Sequence, residues 1–269
     1  FESFHGKDVS DSSLAILQEF LKMPESKDFK IYFATNDKKR DQKFIDSIGL
    51  KVELVRYTNE PILAMESAAS NCYNSKPSSI GKIVRQCYNS GHLSVMEFAQ
   101  FHFHIEGVSR ALLAQITRHR TGKFEVRSQR YCIEDGFEYV IPKTIANNQS
   151  ADTIYKNIME RIQTSYNDLI SMGIPAEDAR MILPNACCTV IDCSFDFRNL
   201  MHFFNERLCT RAQWEIRELA QKMRQCVIDT CPELAPYCVP KCEANKISFC
   251  PENKSCGKYK RLEEMIKID

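Results

Sequence analysis

Residues 108–131, VSRALLAQITRHRTGKFEVRSQRY, decide more about this fold than any other stretch of the chain. The first nine residues, VSRALLAQI, are mostly apolar and predict a helix. Residues 118–131 then carry four arginines, one histidine and one lysine. Cations this dense repel one another unless an anion shares the site, and guanidinium groups bind phosphate bidentately. The stretch therefore predicts either a phosphate-binding turn after a helix or a solvated basic face.

Composition limits the function classes. The chain has 269 residues, 43% of them hydrophobic, and a formal net charge of +1, so general polyanion binding is not expected. No apolar run approaches the ~20 residues of a membrane helix, and the first residues lack the basic-then-apolar order of a signal peptide. Thirteen cysteines, an odd number that includes many isolated ones, indicate free thiols in a reducing, cytoplasmic protein.

The N-terminal half alternates short strands and helices. Residues 1–50 predict an appended strand–helix unit, and residues 52–57 a further strand followed by helices at 61–73 and 79–88. Ser94 and Glu97 have the spacing of a capping box. Phe101, Phe103 and Ile105 alternate with His102 and His104, which predicts a strand with one apolar face. The two histidines fit either a polar sheet face or a metal pair.

The C-terminal half is mainly helical. Residues 151–172 predict a long helix with a buried apolar stripe of Ile154, Ile158, Ile162, Tyr166 and Leu169. Pro175 opens a short helix that carries Arg180, and Asp196 is the expected N-cap of the next helix. A last helix at 212–230 should bury Ile216, Leu219, Met223 and Val227. The predicted class is α+β.

Five blocks of sequence follow one another along the chain. They are VELV at 52–55 with AASNCY at 68–73, GHLSVMEF at 91–98, QITRHRTGKFEVRSQRY at 115–131, ARMILP at 179–184, and FRNLMHFF at 197–204 leading to AQWEI at 212–216. In this order they resemble the flavin-dependent thymidylate synthase (ThyX) family. The resemblance covers residues 51–236, the expected catalytic domain.

The resemblance implies a fold and a reaction. The fold is a central sheet flanked by long helices, built as a homotetramer whose active sites form where subunits meet. The reaction is the reductive methylation of dUMP to dTMP. Methylenetetrahydrofolate gives the carbon, FAD carries the hydride and NADPH is the reductant, while no membrane or nucleic-acid partner is implied.

The resemblance also assigns residues. It implies dUMP contacts for Gln115, Arg118, Ser128, Gln129, Arg130, Arg180 and Arg207, flavin contacts for Ser94, Arg118, His119, Arg120, Arg198 and His202, and a place near the folate or nicotinamide for His92. Arg207 is the expected catalytic residue, since a cation at the uracil edge stabilises negative charge that develops on the ring. No cysteine occupies a nucleophile position of the family pattern.

Some positions depart from that pattern and keep two alternatives open. Lys123 stands where a serine is common, Glu125-Val126 where Asn-Glu is common, and Asp196 where an asparagine is frequent. The changed stretch allows a related enzyme that hydroxymethylates a pyrimidine nucleotide. From a different class, the arginines and cysteines together would suit a zinc-stabilised nucleic-acid-binding module.

The last segment, residues 237–269, is expected to be a separate cysteine-rich tail. It contains Cys238, Cys242, Cys250 and Cys256. The spacing lacks the paired C-x2-C of strong zinc motifs, so a zinc site, a reducible disulfide and free thiols remain alternatives.

Overall fold

The chain folds around a mixed arrangement of helices and one antiparallel sheet. The computed structural model describes residues 49–73 and 79–266, so the predicted strand–helix unit in residues 1–50 lies outside the described residues except for its last two. Four strands have the order β1-β2-β4-β3. They are β1 (Lys51–Tyr57), β2 (Gln100–Ser109), β3 (Lys123–Val126) and β4 (Cys188–Asp196). The predicted α+β class is confirmed.

Helices account for most of the other regular structure in the described residues. In chain order they are α1 (Pro61–Tyr73), α2 (Lys82–Asn89), α3 (Arg110–Ile116), α4 (Lys143–Ala146), α5 (Gln149–Ser171), α6 (Ala176–Ala179), α7 (Phe197–Arg207), α8 (Trp214–Thr230) and α9 (Leu262–Met265), with 3-10 turns at Leu93–Phe98, Arg180–Ile182 and Pro232–Tyr237. The long helices α7 and α8 pack on β4 and β1. Among the described residues, none of the helices combines the length and hydropathy needed to cross a bilayer.

The alternation in β2 is as predicted. Phe101, Phe103 and Ile105 are fully buried, and each such side chain contributes roughly 1.5–3 kcal/mol through the hydrophobic effect. The register of β2 against β4 shifts between Ile105 and Val108, where Gly107 has φ +71°. Only glycine adopts this conformation without strain, and the resulting bulge brings the last two residues of β2 into the interior.

The helix predicted from residue 108 begins two residues later. Val108 and Ser109 end β2, and α3 starts at Arg110. The Ser109 side chain caps α3 by accepting a hydrogen bond from the backbone N of Leu112 (3.0 Å). Apolar periodicity alone could not separate the end of a buried strand from the first turn of a buried helix.

The long helix α5 exists, but its predicted buried face is partly wrong. Tyr166 is fully buried, whereas Ile154 and Ile158 are 61% and 45% exposed. Gln163 occupies the buried side instead, because its side chain accepts from the backbone N of Phe137 (2.7 Å) and donates to the carbonyl of Glu134 (2.9 Å). Two hydrogen bonds to buried backbone groups turn a polar residue inward.

Helix starts give one correct and one wrong prediction. Asp196 caps α7 as expected, accepting from the backbone N of Asn199 at 2.9 Å. The capping box of Ser94 and Glu97 is wrong, since this segment is a 3-10 turn without a side-chain cap. The Glu97 carboxylate instead pairs with Arg198, 2.6 Å away on α7.

For α8, the predicted buried residues Ile216, Leu219, Met223 and Val227 are all fully buried.

Candidate active site

A buried carboxylate fixes the helix that leads into the basic turn. Glu215, at the start of α8 and 5% exposed, accepts hydrogen bonds from the backbone N and the hydroxyl of Ser109, both at 2.7 Å. Ser109 in turn caps α3. Because a buried carboxylate needs such partners, β2, α3 and α8 are held at one point. The direction in which α3 presents its C-terminal turn is thereby set.

The charged and titratable residues of the turn after α3 differ in burial. It closes with backbone hydrogen bonds from His119 to Ile116 (3.0 Å) and from Gly122 to His119 (2.9 Å). His119 is 8% exposed, while Arg118 and Arg120 on either side of it are exposed. Gly122 allows the close approach, because an added Cβ would lie 2.7 Å from the rings of Phe124 and Phe195. The RHR sequence therefore presents two cations outward around one inward imidazole.

The inward imidazole contacts the arginine expected at the uracil edge. Arg207 Nε donates to His119 Nε2 at 2.9 Å, across 88 positions of sequence. Arginine can only donate, so Nε2 is unprotonated and the neutral ring carries its proton on Nδ1. Burial, then Arg207 and His202, lower the pKa of His119 to about 4. His119 is thus a neutral acceptor at physiological pH.

Arg207 is held at the C-terminal end of α7. The helix dipole favours a cation in this last turn. Burial lowers the pKa of the Arg207 guanidinium, the adjacent Glu206 raises it, and nearby Arg118 lowers it. Its two terminal nitrogens have no hydrogen-bond partner within residues 49–73 and 79–266. The arrangement orients a cation through Nε and leaves the bidentate pair of donors for a ligand.

A second group forms around the segment expected to hold the nucleotide. Arg130 Nε donates to the Glu177 carboxylate at 2.6 Å, and Arg180 Nε donates to the carbonyl of the same glutamate at 3.1 Å. Gln129 is buried and donates to the Cys187 sulfur at 3.4 Å. Residues 129, 130 and 180, predicted to share one ligand, do lie in one neighbourhood.

Arg110 and Glu134 belong to the same group, although the sequence gave no sign of it. Arg110 Nη2 donates to the carbonyl of Arg127 at 2.7 Å, while its buried Nε has no hydrogen-bond partner in the described part of the chain. Glu134 is 7% exposed, and its Oε1 lies 3.4 Å from Arg127 Nε without hydrogen-bond geometry. Burial raises the pKa of Glu134, and Arg127 and Arg110 oppose it. With Arg180 nearby, guanidinium charge exceeds carboxylate charge.

Apart from Arg118, His119 and Arg120 in the basic turn, the residues expected to contact flavin lie on two elements. Ser94 is exposed in the 3-10 turn, which packs against α7. His92, expected near the folate or nicotinamide, is exposed just before that turn. Arg198 on α7 pairs with Glu97 of that turn, so this cation already has a counter-charge. His202, one turn further along α7, is exposed and its ring centre lies 5.8 Å from that of His119. Gln115, expected to contact dUMP, donates to the carbonyl of Ala111 (3.4 Å) within α3.

The structure gives no support to the metal alternatives among the described residues. His104 bonds Asp192 (2.9 Å) and Glu106 (3.3 Å), and His102 lies 3.4 Å from the Ser194 hydroxyl, so both histidines line the polar face of the sheet. In the described residues, histidines, cysteines and carboxylates form no group of three placed to hold a metal ion. The four tail cysteines are free thiols: Cys238 and Cys250 are buried, Cys242 is half-buried and Cys256 is exposed.

Comparison with known proteins bears on this geometry. Residues 53–233 match the family described as thymidylate synthase complementing protein. The chain is 37% identical over 249 residues to a flavin-dependent thymidylate synthase of Clostridium tetani. This match covers 82% of this chain and 98% of the relative. A protein of the same name from Nitratidesulfovibrio vulgaris is 36% identical over 240 residues, covering 80% and 97%. One from Pyrococcus furiosus is 35% identical over 225 residues, covering 76% and 90%.

The chain belongs to the flavin-dependent thymidylate synthase family.

Membership of this family makes the chain an enzyme. It confirms the family resemblance that the five sequence blocks indicate. The sequence missed Arg110, Glu134 and Glu177 as parts of the site. For Glu177 a signal existed, because it precedes Arg180 by three residues and so shares a helical face with it. For Glu134, in a loop, only the folded chain shows that the carboxylate meets Arg127.

Proposed function

We propose that this protein methylates dUMP reductively to dTMP, with methylenetetrahydrofolate as carbon donor and NADPH as reductant. The observation that carries the proposal is the hydrogen bond between Arg207 and His119. It joins the basic turn to the end of α7 and holds a guanidinium by its Nε alone. The proposal therefore rests on Arg207, a cation that neutral His119 orients and whose terminal nitrogens can still donate hydrogen bonds to a ligand.

Arg207 is the proposed catalytic residue. Before C5 of uracil can attack a one-carbon donor, the ring must be made electron-rich, and the negative charge that develops is shared with a carbonyl oxygen. The terminal nitrogens of Arg207 can donate to such an oxygen more strongly as the charge grows. Because His119 stays neutral, its lone pair at Nε2 keeps the guanidinium in place without cancelling its charge.

The dUMP phosphate is assigned to the second group of residues. Ser128, Gln129, Arg130 and Arg180 surround one neighbourhood, with Arg118 and Gln115 proposed as further nucleotide contacts. A phosphate dianion would displace or complement the Glu177 carboxylate on Arg130, since a charge-assisted pair with phosphate is at least as strong. The excess of guanidinium over carboxylate charge in this group supports an anionic ligand.

Neither Ser128 nor Cys187 is activated as a nucleophile. The Ser128 hydroxyl accepts from the backbone N of Arg130 (3.2 Å) and has no base bonded to it among the described residues. Burial, followed by Glu134, raises the pKa of Cys187 to about 12, which leaves it a thiol. Polarisation by Arg207 is therefore proposed in place of covalent attack on the ring.

The residues of the basic turn suit FAD by their chemistry. A pyrophosphate needs cationic donors, and Arg118 and Arg120 are exposed on a turn whose backbone is fixed by Gly122 and His119. Arg198, Ser94 and His202 are proposed to hold the rest of the cofactor, and His92 to lie near the folate or nicotinamide. When bound, the flavin supplies the reducing equivalent. The protein's part is to bind and orient both partners.

One experiment tests the function and its rivals together. Purified protein is incubated anaerobically with dUMP, NADPH and carbon-13-labelled methylenetetrahydrofolate, and products are identified by mass spectrometry. Labelled dTMP with matching loss of NADPH supports the proposal. Labelled hydroxymethyl-dUMP without NADPH loss would establish the hydroxymethylase instead. A colourless preparation that binds nucleic acid with a steep salt dependence would favour the nucleic-acid-binding alternative.

Assembly as a homotetramer is part of the proposal. The exposed side chains of Ile154 and Ile158 lie on one face of α5, and a second copy of the chain would cover them. Light scattering after size exclusion should give four chains for the wild type. Ile158→Asp should lower that number, whereas Thr164→Asp, at an exposed position on a different side of α5 from Ile154 and Ile158, should leave it unchanged. Equal masses for all three would contradict this face.

A further inference from the structure

The cysteine-rich tail is anchored to the core at its start. Tyr237 and Cys238 are buried, and the Tyr237 ring packs edge-on against Tyr88 with centroids 4.8 Å apart. Arg224 Nε on α8 donates to the Cys238 carbonyl at 2.7 Å. Further along, the Tyr88 hydroxyl donates to the carbonyl of Ala244 at 3.2 Å. The tail therefore has a fixed position on the catalytic domain.

From this anchor the tail contacts residues 205–211, the segment that contains Arg207. The backbone N of Lys241 donates to the Asn205 carbonyl at 3.0 Å. The Lys241 ammonium lies 3.6 Å from the Glu206 carboxylate and also pairs with Glu252 of the tail. Arg207 is thus preceded by two residues that the tail holds directly.

Tail contacts continue on the other side of Arg207. Arg211 Nη2 donates to the carbonyl of Lys254 at 2.9 Å. The backbone of Lys258 and the side chain of Thr210 hydrogen-bond the Cys256 thiol and lower its pKa. Both ends of segment 205–211 are therefore tied to the same tail.

We propose that residues 237–266 act as a clamp that positions Arg207, with Lys241 as its principal positioning residue. Lys241 makes a backbone and a side-chain contact to the two residues before Arg207, and Glu252 holds its ammonium in place. Lys241 also pairs with Glu206, the carboxylate that precedes Arg207 in the sequence. The catalytic consequence rests on the function proposed above, whereas the structural one does not.

A clamp is needed here because α7 ends at Arg207. Carbonyls in the last turn of a helix lack a partner inside the helix, and the Asn205 carbonyl finds one in the backbone N of Lys241. A guanidinium that must meet a ring oxygen tolerates only small displacements, and an error of about 1 Å can cost on the order of 100-fold in rate. The buried Cys238 and Cys250 then serve as small apolar groups that seat the clamp.

The first test needs neither flavin nor dUMP. Nitrogen-15 NMR of the His119 ring reports its tautomer, which Arg207 fixes as the form with a proton on Nδ1. Lys241→Met should loosen this fixation, giving averaged ring nitrogen shifts. Lys241→Arg should restore the wild-type shifts. Lys258→Met is the matched control, because the Lys258 side chain pairs with Glu243 inside the tail and its backbone contact to Cys256 is kept.

The second test measures catalysis. Lys241→Met should lower kcat by about 10-fold, and it should have little further effect in an Arg207→Lys background, since both act through one guanidinium. Lys258→Met should leave kcat within about 2-fold in the same assay. Should Lys241→Met not fold, Glu252→Gln and Arg211→Met weaken the clamp from other sides and carry the same expectations.

The outcomes separate the two proposals. Unchanged His119 ring shifts in Lys241→Met, or equal shifts in Lys241→Met and Lys258→Met, would overturn the clamp whatever the enzyme makes. Additive losses in the double variant would also overturn it. A wild type that forms no dTMP, with the His119 shifts responding as expected, would overturn the proposed function and leave the clamp standing.

Discussion

The arginine group around Arg207 and the one around Arg130 and Arg127 differ in the side chains that contact their guanidiniums. Around Arg207 the hydrogen-bond acceptor is the neutral imidazole of His119. Around Arg130 and Arg127 the partners are the carboxylates of Glu177 and Glu134. A neutral acceptor orients a guanidinium and preserves its charge, whereas a carboxylate offsets it. From this difference we propose that the first group acts on charge that develops in a reaction and that the second exchanges one anion for another.

The largest expected effect comes from Arg207 itself. Arg207→Lys keeps the charge but removes Nε, and with it the hydrogen bond to His119 and the bidentate donors. We expect kcat/KM for dUMP to fall by about 10²–10³-fold, the usual loss for one oriented donor. Steady-state kinetics measure this, with the exposed Arg161→Lys as control. A loss below 10-fold would remove the distinction between the two groups.

The neutrality of His119 gives a pH dependence of stability. Its pKa is about 4 in the folded protein against an ordinary 6.5, so the fold favours the neutral ring. This contribution is complete above pH 6.5 and is lost as the pH falls toward 4. His119→Gln, which stays neutral, should flatten the dependence by about 1–2 kcal/mol. Denaturant unfolding at pH 7 and pH 4.5 provides the measurement, and identical slopes for variant and wild type would contradict it.

Arg110 tests whether the second group serves binding more than rate. Its Nη2 holds the carbonyl of Arg127, next to Ser128. Arg110→Met should raise the KM for dUMP by about 10-fold, the value of one charge-assisted hydrogen bond, and leave kcat within about 2-fold. Arg161→Met is the control. A fall in kcat at unchanged KM would instead place Arg110 with Arg207.

Glu134 should give the smallest effect. Burial raises its pKa, so the folded state holds the proton more firmly than the unfolded chain does. The penalty of ionising it is absent at low pH and grows as the pH rises through the raised pKa. Relative to wild type, Glu134→Gln should therefore gain Tm between pH 4 and pH 7, by roughly 2 °C. Thermal melts across that range would show the opposite trend if the pairing with Arg127 outweighed burial.

Much of the fold could be predicted where one element decides its own structure. The buried residues of β2 and α8 follow from periods of two and 3.6, and the Asp196 cap from local chemistry. Predictions failed where a distant partner competed. Glu97 pairs with Arg198, 101 positions away, instead of closing a capping box, and Gln163 takes the buried side of α5 through bonds to residues 134 and 137.

For the site, motif positions identified the residues, and their roles in binding and catalysis remain predictions. The sequence by itself determined that a helix leads into a dense cationic turn and that the chain resembles one enzyme family. Only the tertiary structure decided which of these side chains turns inward, that His119 meets Arg207, and that the tail holds segment 205–211. The physical reason is the distance along the chain over which each interaction acts. Periodicity and caps act over a few residues, whereas pairing of buried polar groups depends on which elements the core brings together.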